Sequence, residues 1–345
     1  IVALEVATWF QAQGDSVTLG ANCIAAPIAA CAEGIDLTEA PEALELIDYD
    51  LIWCQHDMLA QLSLAAFERA AAPSRPPFVA LVSLSPYEPY EHIDALMARA
   101  LSAEVLVNSP ETRLEVLRRA EVKVAPSRLR VFHNAAPGEF WADANHAPAG
   151  PLKTVLLISN HAPAEAIEAL AALKQAGLAI HHLGILQDWR RVRPVDLAQA
   201  DAIITIGKSA LYAIAQQKPI YIYDHFGGDG WLTRENFARN LEHNFSGRPM
   251  RRKLSAGEIV EEILTGYASA AAEVRRLGEV FDLRRLSLDY HLNSLRQRAA
   301  SRAKAWRPAI RLRLHLTQRW FRAHLEVSRA KSRAMKQSYL AKRRR

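Results

Sequence analysis

Short apolar runs alternate with helical patterns along the first 134 residues of the chain. Each run is followed by a turn or a helix signal, and Ser109 and Pro110 suit the N-cap and the first position of a helix. An alternation of this kind predicts a parallel sheet with crossover helices. The predicted strands are 16–21, 51–55, 78–84, 104–109 and 128–134, and the predicted helices are 1–13, 57–71, 91–101 and 110–119.

A second alternation begins after the segment 135–151, which contains three prolines and two glycines and predicts a domain boundary. After residue 256 the pattern is helical. We predict an α/β protein with two doubly wound, Rossmann-like domains, 1–150 and 151–268, that face a cleft, and a basic helical extension 269–345. The predicted strands of the second domain are 153–159, 179–185, 202–207 and 220–225, and its helical segments are 163–176, 195–200 and 209–217.

The composition is that of a globular protein: the chain has 345 residues, and 50% of them are hydrophobic. No apolar run approaches the roughly 18 to 20 residues of a membrane-spanning helix, so we expect a soluble body. The chain starts at Ile1 inside a helical pattern, and we expect that the natural protein begins earlier. Cys23, Cys31 and Cys54 are spaced too irregularly for a disulfide framework, which favours a reducing, cytoplasmic compartment.

Positive charge is concentrated at the C-terminal end. The last 50 residues contain 17 Lys or Arg and one acid, Glu326, whereas the rest of the chain has an excess of acids. Trp306, Trp320 and Phe321 lie in the same stretch. One hypothesis places residues 300–345 on an anionic membrane, so that the protein is peripheral to the inner face of the cytoplasmic membrane; another packs them on the acidic body. A nucleic-acid partner is disfavoured, because the acidic body would repel a duplex.

The chain has neither the G-x-G-x-x-G fingerprint of dinucleotide-binding proteins nor a P-loop. The stretch TIGKSALYAI does place Gly207, Lys208 and Ser209 where a buried strand gives way to a helix. Backbone N–H groups at a helix start, with a lysine beside them, are suited to a phosphate or diphosphate. A plain strand-to-helix turn with Ser209 as N-cap is the alternative interpretation.

Metal ligation finds little support in the sequence. Asp48 and Asp50 match the D-x-D pattern of metal-dependent sugar transferases, but they precede a strand, whereas ligands of open α/β sheets bind outside the carboxyl ends. A solvated turn is the favoured interpretation. His181 and His182 are neighbours within a strand and point to opposite faces, so the pair alone forms no metal site. We expect no metal and no tightly bound cofactor.

Polar residues follow two strands of the first domain. Gln55, His56 and Asp57 come directly after the strand 51–55, and a histidine oriented by a carboxylate suits a general base. A loop histidine satisfied by backbone is the alternative. The residues after the next strand are predicted to contact a substrate: Ser85, Tyr87 and Glu88.

The stretch YDHFGGDG follows the last strand of the second domain. Its glycines Gly227, Gly228 and Gly230 suit either a bare turn or a loop that clasps a ligand. We favour the ligand-binding loop, because a bare turn has no need of three further polar side chains, and we add an arginine suited to phosphate. These residues are Asp224, His225, Asp229 and Arg248.

Several of these elements, in their order, resemble glycosyltransferases of the GT-B architecture, in particular the family-4-like group 1 transferases. The resemblance covers most of residues 1–265. The stretches that carry it are IVALEVATWFQAQGDSVTLGA, DYDLIWCQHDM, AEVLVNSPETRLEVL, RVFHNAAPGEFW with Asn134 and Trp141 at matching positions, and ADAIITIGKSALYAIAQQKPIYIYD.

The resemblance implies an acceptor on the first domain and a nucleotide-sugar on the second, without a metal, because cations and a helix start neutralise the departing diphosphate. Lys208 and Ser209 become donor phosphate contacts, with Arg248 as a second cation, and the loops 55–57 and 83–88 face the acceptor. The chain departs from the family at Tyr212 and Ile204, which replace the glutamate that usually binds the ribose and its partner, and in SNHAPAE after the strand 153–159. Asp224, Asp229 or Glu235 are candidates to bind the hydroxyls instead.

From these observations we expect a metal-independent glycosyltransferase that moves a sugar from a nucleotide-sugar to a saccharide or lipid-linked acceptor in the synthesis of a cell-surface glycan. Two alternatives stay open. A nucleotide-sugar epimerase shares this architecture but needs no acceptor. A non-catalytic binding protein would use the basic tail to contact a membrane or a nucleic acid.

Overall fold

A computed structural model describes residues 1–301 except 56–57, 72–75, 89–90, 92, 94, 120–123, 143–149 and 186. The chain divides into two compact units. Unit 1 contains Ile1–Val107, Thr112–Val131 and the chain from Asn293 onward, and unit 2 contains Asn108–Glu111 and Phe132–Leu292. No helix of the described ranges combines the length and the apolar character needed to cross a membrane.

Unit 1 is built on parallel strands. The strands β1 (Thr18–Gly20) and β2 (Asp36–Thr38) pair with each other, and a four-stranded sheet has the order β3-β4-β5-β6. Every residue of β4 and β5 is buried, as expected of strands covered on both faces. The four strands are Leu51–Gln55, Phe78–Ser83, Glu104–Val107 and Leu129–Val131.

Unit 2 has a five-stranded sheet in the order β11-β10-β9-β7-β8. The strands β7 to β10 are parallel, and β11 is antiparallel to β10. Alternate residues of β7 face two separate hydrophobic clusters, because side chains of a strand point to opposite faces in turn. The strands are Thr154–Ile158, Ala179–Leu183, Ala202–Thr205, Ile220–Asp224 and Gly227–Trp231.

The helices connect and cover these sheets. The longest, α11, begins with a capping box in which Ser255 and Glu258 each bond the other's backbone, and its apolar residues pack on both clusters of unit 2. In order, α1 to α12 are Val2–Ala12, Ala26–Ala29, Leu64–Ala71, Ala95–Ala100, Pro110–Arg119, Gly138–Trp141, Ala164–Gln175, Pro194–Ala198, Lys208–Ala215, Arg234–Glu242, Ala256–Val280 and Leu288–Ala300.

The predicted α/β class, with a parallel sheet in each half of the chain, is confirmed. The units differ from the predicted domain boundaries, because α11 runs through residue 268 and Val274, Leu277 and Leu286 are part of the core of unit 2. Strands β2 and β11 and helix α10 were not predicted. Of the predicted basic extension 269–345, residues 302–345 lie outside the described residues.

Lys218 is a buried cation that holds unit 2 together. Its side chain donates to the backbone oxygens of Ala198 and Ala200 at 3.1 and 2.9 Å, at the end of α8, and burial lowers its pKa. Lys218→Met leaves both acceptors without this donor. We expect a loss of about 2 kcal/mol in the free energy of unfolding, measured in urea. Lys174→Met, at an exposed position of α7, is the control and should lose less than about 0.5 kcal/mol.

Candidate functional site

The strand order of unit 2 places a topological switch point at the carboxyl edge of its sheet. Strand β7 has β8 on one side and β9 on the other, so the chain reverses its direction of winding there. Helix α7 packs on one face with Val155 and Leu157, and α9 packs on the other with Leu156 and Ile158. The segments that follow β7 and β9 therefore separate to opposite faces, and ligands of open α/β sheets bind at such a switch point.

A buried carboxylate organises the segment after β7. Asp224, at the end of β10, is 4% exposed, and its Oδ2 accepts a hydrogen bond from the hydroxyl of Ser159 at 2.7 Å. Its Oδ1 accepts from the backbone N–H of His225 at 2.6 Å and lies 3.2 Å from the Nδ1 of the same ring. The ring of His161 meets that of His225 edge to face, with centroids 5.7 Å apart. The edge thus presents one imidazole, His225, held by a buried acid, and a second, His161, packed against it.

The segment after β9 is a strand-to-helix turn with a glycine cap. Gly207 adopts a φ of 64° and is the N-cap of α9, so Lys208 is the first helical residue and Ser209 lies within the first turn. The alternative in which Ser209 is the N-cap is wrong. Gly207 has no side chain that could accept from the N–H groups of this first turn, and of these groups the N–H of Ala210 donates to the oxygen of Gly207 at 3.1 Å.

The ammonium group of Lys208 holds the chain that leads into α6. It donates to the backbone oxygens of Asn134 and Ala135 at 2.9 and 3.0 Å, and it lies 5.3 Å from the centroid of the Tyr212 ring. Lys208 therefore fixes the segment around Asn134, one of the stretches that resemble GT-B transferases, against the start of α9. The side chain of Asn134 in turn donates to Oδ1 of Asn244 at 3.3 Å.

A turn at residues 243–248 closes the same region. The oxygen of Phe245 accepts a hydrogen bond from the N–H of Gly207 at 2.9 Å. The guanidinium of Arg248 lies 5.7 Å from the centroid of the Phe226 ring and donates to the carboxylate of Glu111. Arg248 therefore lies near the tip of the β10–β11 hairpin, and its role as a phosphate-binding cation stays a prediction.

The glycine-rich stretch is a β-hairpin and not the predicted loop. Strands β10 and β11 are joined by two residues, His225 and Phe226. The register shifts by one residue between Ile222 and Tyr223, which leaves Asp229 as the extra residue of a β-bulge. Gly227 has a φ of 82°, and a Cβ at Gly228 would lie 1.8 Å from the oxygen of Ile222, so the fold itself requires both glycines.

Two further acids have definite places. Asp229 accepts hydrogen bonds from Arg239 at 2.8 Å and from the side chain of Asn240 at 2.7 Å, and its carboxylate points to α10. Glu235 is exposed on the same helix. Tyr212, at the position of the family's ribose-binding glutamate, is 3% exposed and stacks on Phe140 with centroids 4.1 Å apart.

The predicted acceptor residues belong to unit 1. Gln55 ends β3 and is 9% exposed, and its amide nitrogen has no hydrogen-bond partner within the described ranges. The hydroxyl of Ser85 accepts from the N–H groups of Tyr87 and Glu88, whose side chains are exposed. The predicted general base and its orienting acid, His56 and Asp57, lie outside the described residues.

The residues considered for a metal remain apart. Asp48 and Asp50 are exposed and precede β3, while His182 in β8 contacts the oxygen of Ser159 at 3.1 Å and His181 is exposed. Within the part of the chain that the structure describes, no three His, Cys, Asp or Glu side chains form a group able to hold a metal ion.

Sequence reasoning did not identify Ser159, His161 or Asn244. Ser159 and His161 carried a signal, since they follow the first strand of the second domain, whose carboxyl end is part of the predicted edge. Asn244 had none, because its partner Asn134 is 110 residues away in the chain.

Comparison with solved structures found chains of similar fold. A glycosyltransferase from Rickettsia africae ESF-5 superposes with a TM-score of 0.49 over 86% of this chain and 93% of that one, at 10% sequence identity. No protein-family model matches the sequence. No curated protein matches it either. A similarity of this size is not evidence about the activity of this chain.

Proposed function

We propose that the protein is a glycosyltransferase whose unit 2 binds a nucleotide-sugar at the carboxyl edge of its sheet. The observation that supports this most directly is the switch point between β7 and β9, where a glycine-capped helix start and the Ser159–Asp224–His225 group share one edge. The resemblance of the sequence motifs to GT-B transferases supports the same class.

The groups at this edge suit the two ends of such a donor. The first turn of α9, with Lys208 and Ser209, would accept the diphosphate, because helix N–H groups and nearby cations stabilise its charge as it departs. His225, whose side chain is 40% exposed, and His161 would meet sugar hydroxyls, with Asp224 holding the ring of His225 in place. The reaction on this proposal needs no metal ion.

The acceptor would be a saccharide or a lipid-linked saccharide. We assign its contacts to Gln55, Ser85, Tyr87 and Glu88, because the resemblance turns these loops to the acceptor. We assign the general base to His56, because a histidine beside the carboxylate of Asp57 suits that role. Gln55 fits this assignment best, because its buried amide nitrogen has a donor to offer to a hydroxyl. Synthesis of a cell-surface glycan is the process in which we place the reaction.

Binding of nucleoside diphosphates tests the proposal. In a thermal-shift screen of uridine, guanosine and adenosine diphosphates, we expect one of them to raise the melting temperature of the protein. Calorimetry should then show about tenfold weaker binding in Lys208→Ala, since a hydrogen bond to a charged group contributes roughly 1.5–3 kcal/mol. Lys174→Ala, on the exposed face of α7, should bind like the natural chain.

Three results would redirect the proposal. No shift with any nucleotide would favour a non-catalytic binding protein. Unchanged affinity in a folded Lys208→Ala variant would remove Lys208 from the donor site. Conversion of a nucleotide-sugar into a free isomer without an acceptor would identify an epimerase, which the same architecture accommodates.

We also propose that residues 300–345 associate with anionic lipid. Their many basic residues would attract headgroups, and Trp306 and Trp320 would enter the interface. In vesicle flotation, we expect the full chain to float with phosphatidylserine vesicles at low salt, and a chain ending at residue 299 to stay behind. Equal behaviour of both chains at low salt would contradict the membrane role and favour packing of the tail on the acidic body.

A further inference from the structure

Two basic side chains of unit 2 converge on a single carboxylate. Arg248 donates from its guanidinium to Oε2 of Glu111, and Nδ1 of His243 lies 3.1 Å from Oε1 of the same residue. The three side chains are mostly buried, with 13% exposure for Glu111, 17% for Arg248 and 28% for His243. Each carboxylate oxygen therefore has its own basic partner, which is also how an arginine and a second donor hold a phosphate group.

This cluster borders the candidate donor site. The turn 243–248 that carries both basic residues bonds to Gly207 through the oxygen of Phe245, and Asn244 is the nearest side chain to Gly207. Arg248 also lies over the Phe226 ring at the tip of the hairpin. An anion held at the start of α9 would thus have two more basic groups beside it, both engaged by Glu111.

We propose that His243 and Arg248 form a subsite for a phosphate or diphosphate group, and that Glu111 fills this subsite when no ligand is bound. Carboxylate and phosphate oxygens accept the same hydrogen bonds from a guanidinium and from the N–H of an imidazole. An incoming anion must displace the carboxylate of Glu111. The affinity of the subsite for the anion is therefore lower than it would be without Glu111. The proposal rests on the proposed function in naming the donor diphosphate as the ligand, and it adds a competing group within the protein.

The competing explanation is structural. Glu111 lies in the first turn of α5, where a negative charge is favourable to the helix, and its two ion pairs would then serve stability alone. On that explanation, removal of its charge weakens the fold and leaves anion binding unchanged. On ours, removal of the charge strengthens anion binding.

Calorimetric titration of the full chain with inorganic pyrophosphate at low ionic strength separates the two. We expect Glu111→Gln to bind pyrophosphate roughly five- to tenfold more tightly than the natural chain, which is the lower end of the range typical of coupling between sites. Arg248→Gln should bind it at least about fivefold more weakly. Glu115→Gln is the matched control, since Glu115 lies one turn further along α5 and pairs with Arg118 at 3.1 Å, and it should change nothing.

Unchanged or weaker pyrophosphate binding by a folded Glu111→Gln variant overturns the proposal. If that variant does not fold, Glu111→Asp takes its place, because the shorter carboxylate reaches the two basic groups less well and should also tighten binding; equal or weaker binding there overturns the proposal too. A gain for pyrophosphate without any nucleotide binding would support the subsite while the proposed function fails. Nucleotide binding that is the same in the natural chain and in Glu111→Gln would support the proposed function while the subsite proposal fails.

Discussion

Gly228→Ala is expected to cost more than about 3 kcal/mol in the free energy of unfolding, because the new methyl group has no space. An ideal Cβ at Gly228 lies 1.8 Å from the backbone oxygen of Ile222 and 2.8 Å from Cα of Tyr223. Both are main-chain atoms of the neighbouring strand β10, which is fully buried, so no side chain can turn aside. Relief requires that the hairpin opens and that its backbone hydrogen bonds are lost.

The measurement is urea unfolding followed by circular dichroism, with Gly257→Ala as the matched control. Gly257 lies in the first turn of α11, and its nearest neighbour would be the hydroxyl of Ser255 at 4.0 Å. There the substitution should stabilise by about 0.5 kcal/mol through the unfolded chain. If Gly228→Ala unfolds within about 1 kcal/mol of the natural chain, the β10–β11 pairing described above is wrong.

Acidification is expected to destabilise unit 2 through His133. Its Nδ1 is buried without a hydrogen-bond partner in the described chain, and burial together with the charges of His291 and Arg285 lowers its pKa to about 4. In the unfolded chain this histidine binds a proton near pH 6.5. Between these values the unfolded state holds more protons than the folded state, so stability is complete above about pH 6.5 and falls as the pH is lowered toward 4.

Between about pH 7.5 and pH 5, where carboxylates stay ionised, we expect the free energy of unfolding to fall by about 2 kcal/mol. His133→Asn should flatten this dependence, because asparagine does not titrate and tolerates the φ of 58° found here. His181→Gln, at an exposed histidine of β8, should leave the profile unchanged. An equally steep profile in His133→Asn would assign the pH dependence to other groups.

The parallel strands were predictable because they are buried on both faces. Runs such as FVALVS and EVLV are apolar at every position or nearly so, and such runs have few alternatives to a central strand. Strand β11 was not predictable in this way. Its sequence GGDGW has low strand propensity, and its place is set by close backbone packing against Ile222 and Arg252. Helix α10 has few apolar anchors, mainly Phe237 and Leu241.

The sequence was sufficient to predict which edge of the sheet carries the candidate site, but not which side chains contact each other there. Strand ends alone indicated Gly207, Lys208 and Asp224, because carboxyl ends of parallel strands lie together. Their partners are remote in sequence: Ser159 is 65 residues from Asp224, and Glu111 is 137 residues from Arg248. No local pattern carries such pairings. The polar residues after β10, which suggested a flexible ligand loop, are divided by the hairpin between the edge and α10.

Hydrogen–deuterium exchange of the full chain, with and without the nucleoside diphosphate found in the screen, tests the central claim most directly. The account predicts slower exchange in peptides that cover 159–163 and 206–212 in unit 2, since these segments line the switch point. Peptides from β8 and from the middle of α11 should be unaffected. Protection confined to unit 1, or bound nucleotide without any change at 206–212, would contradict the placement of the donor site.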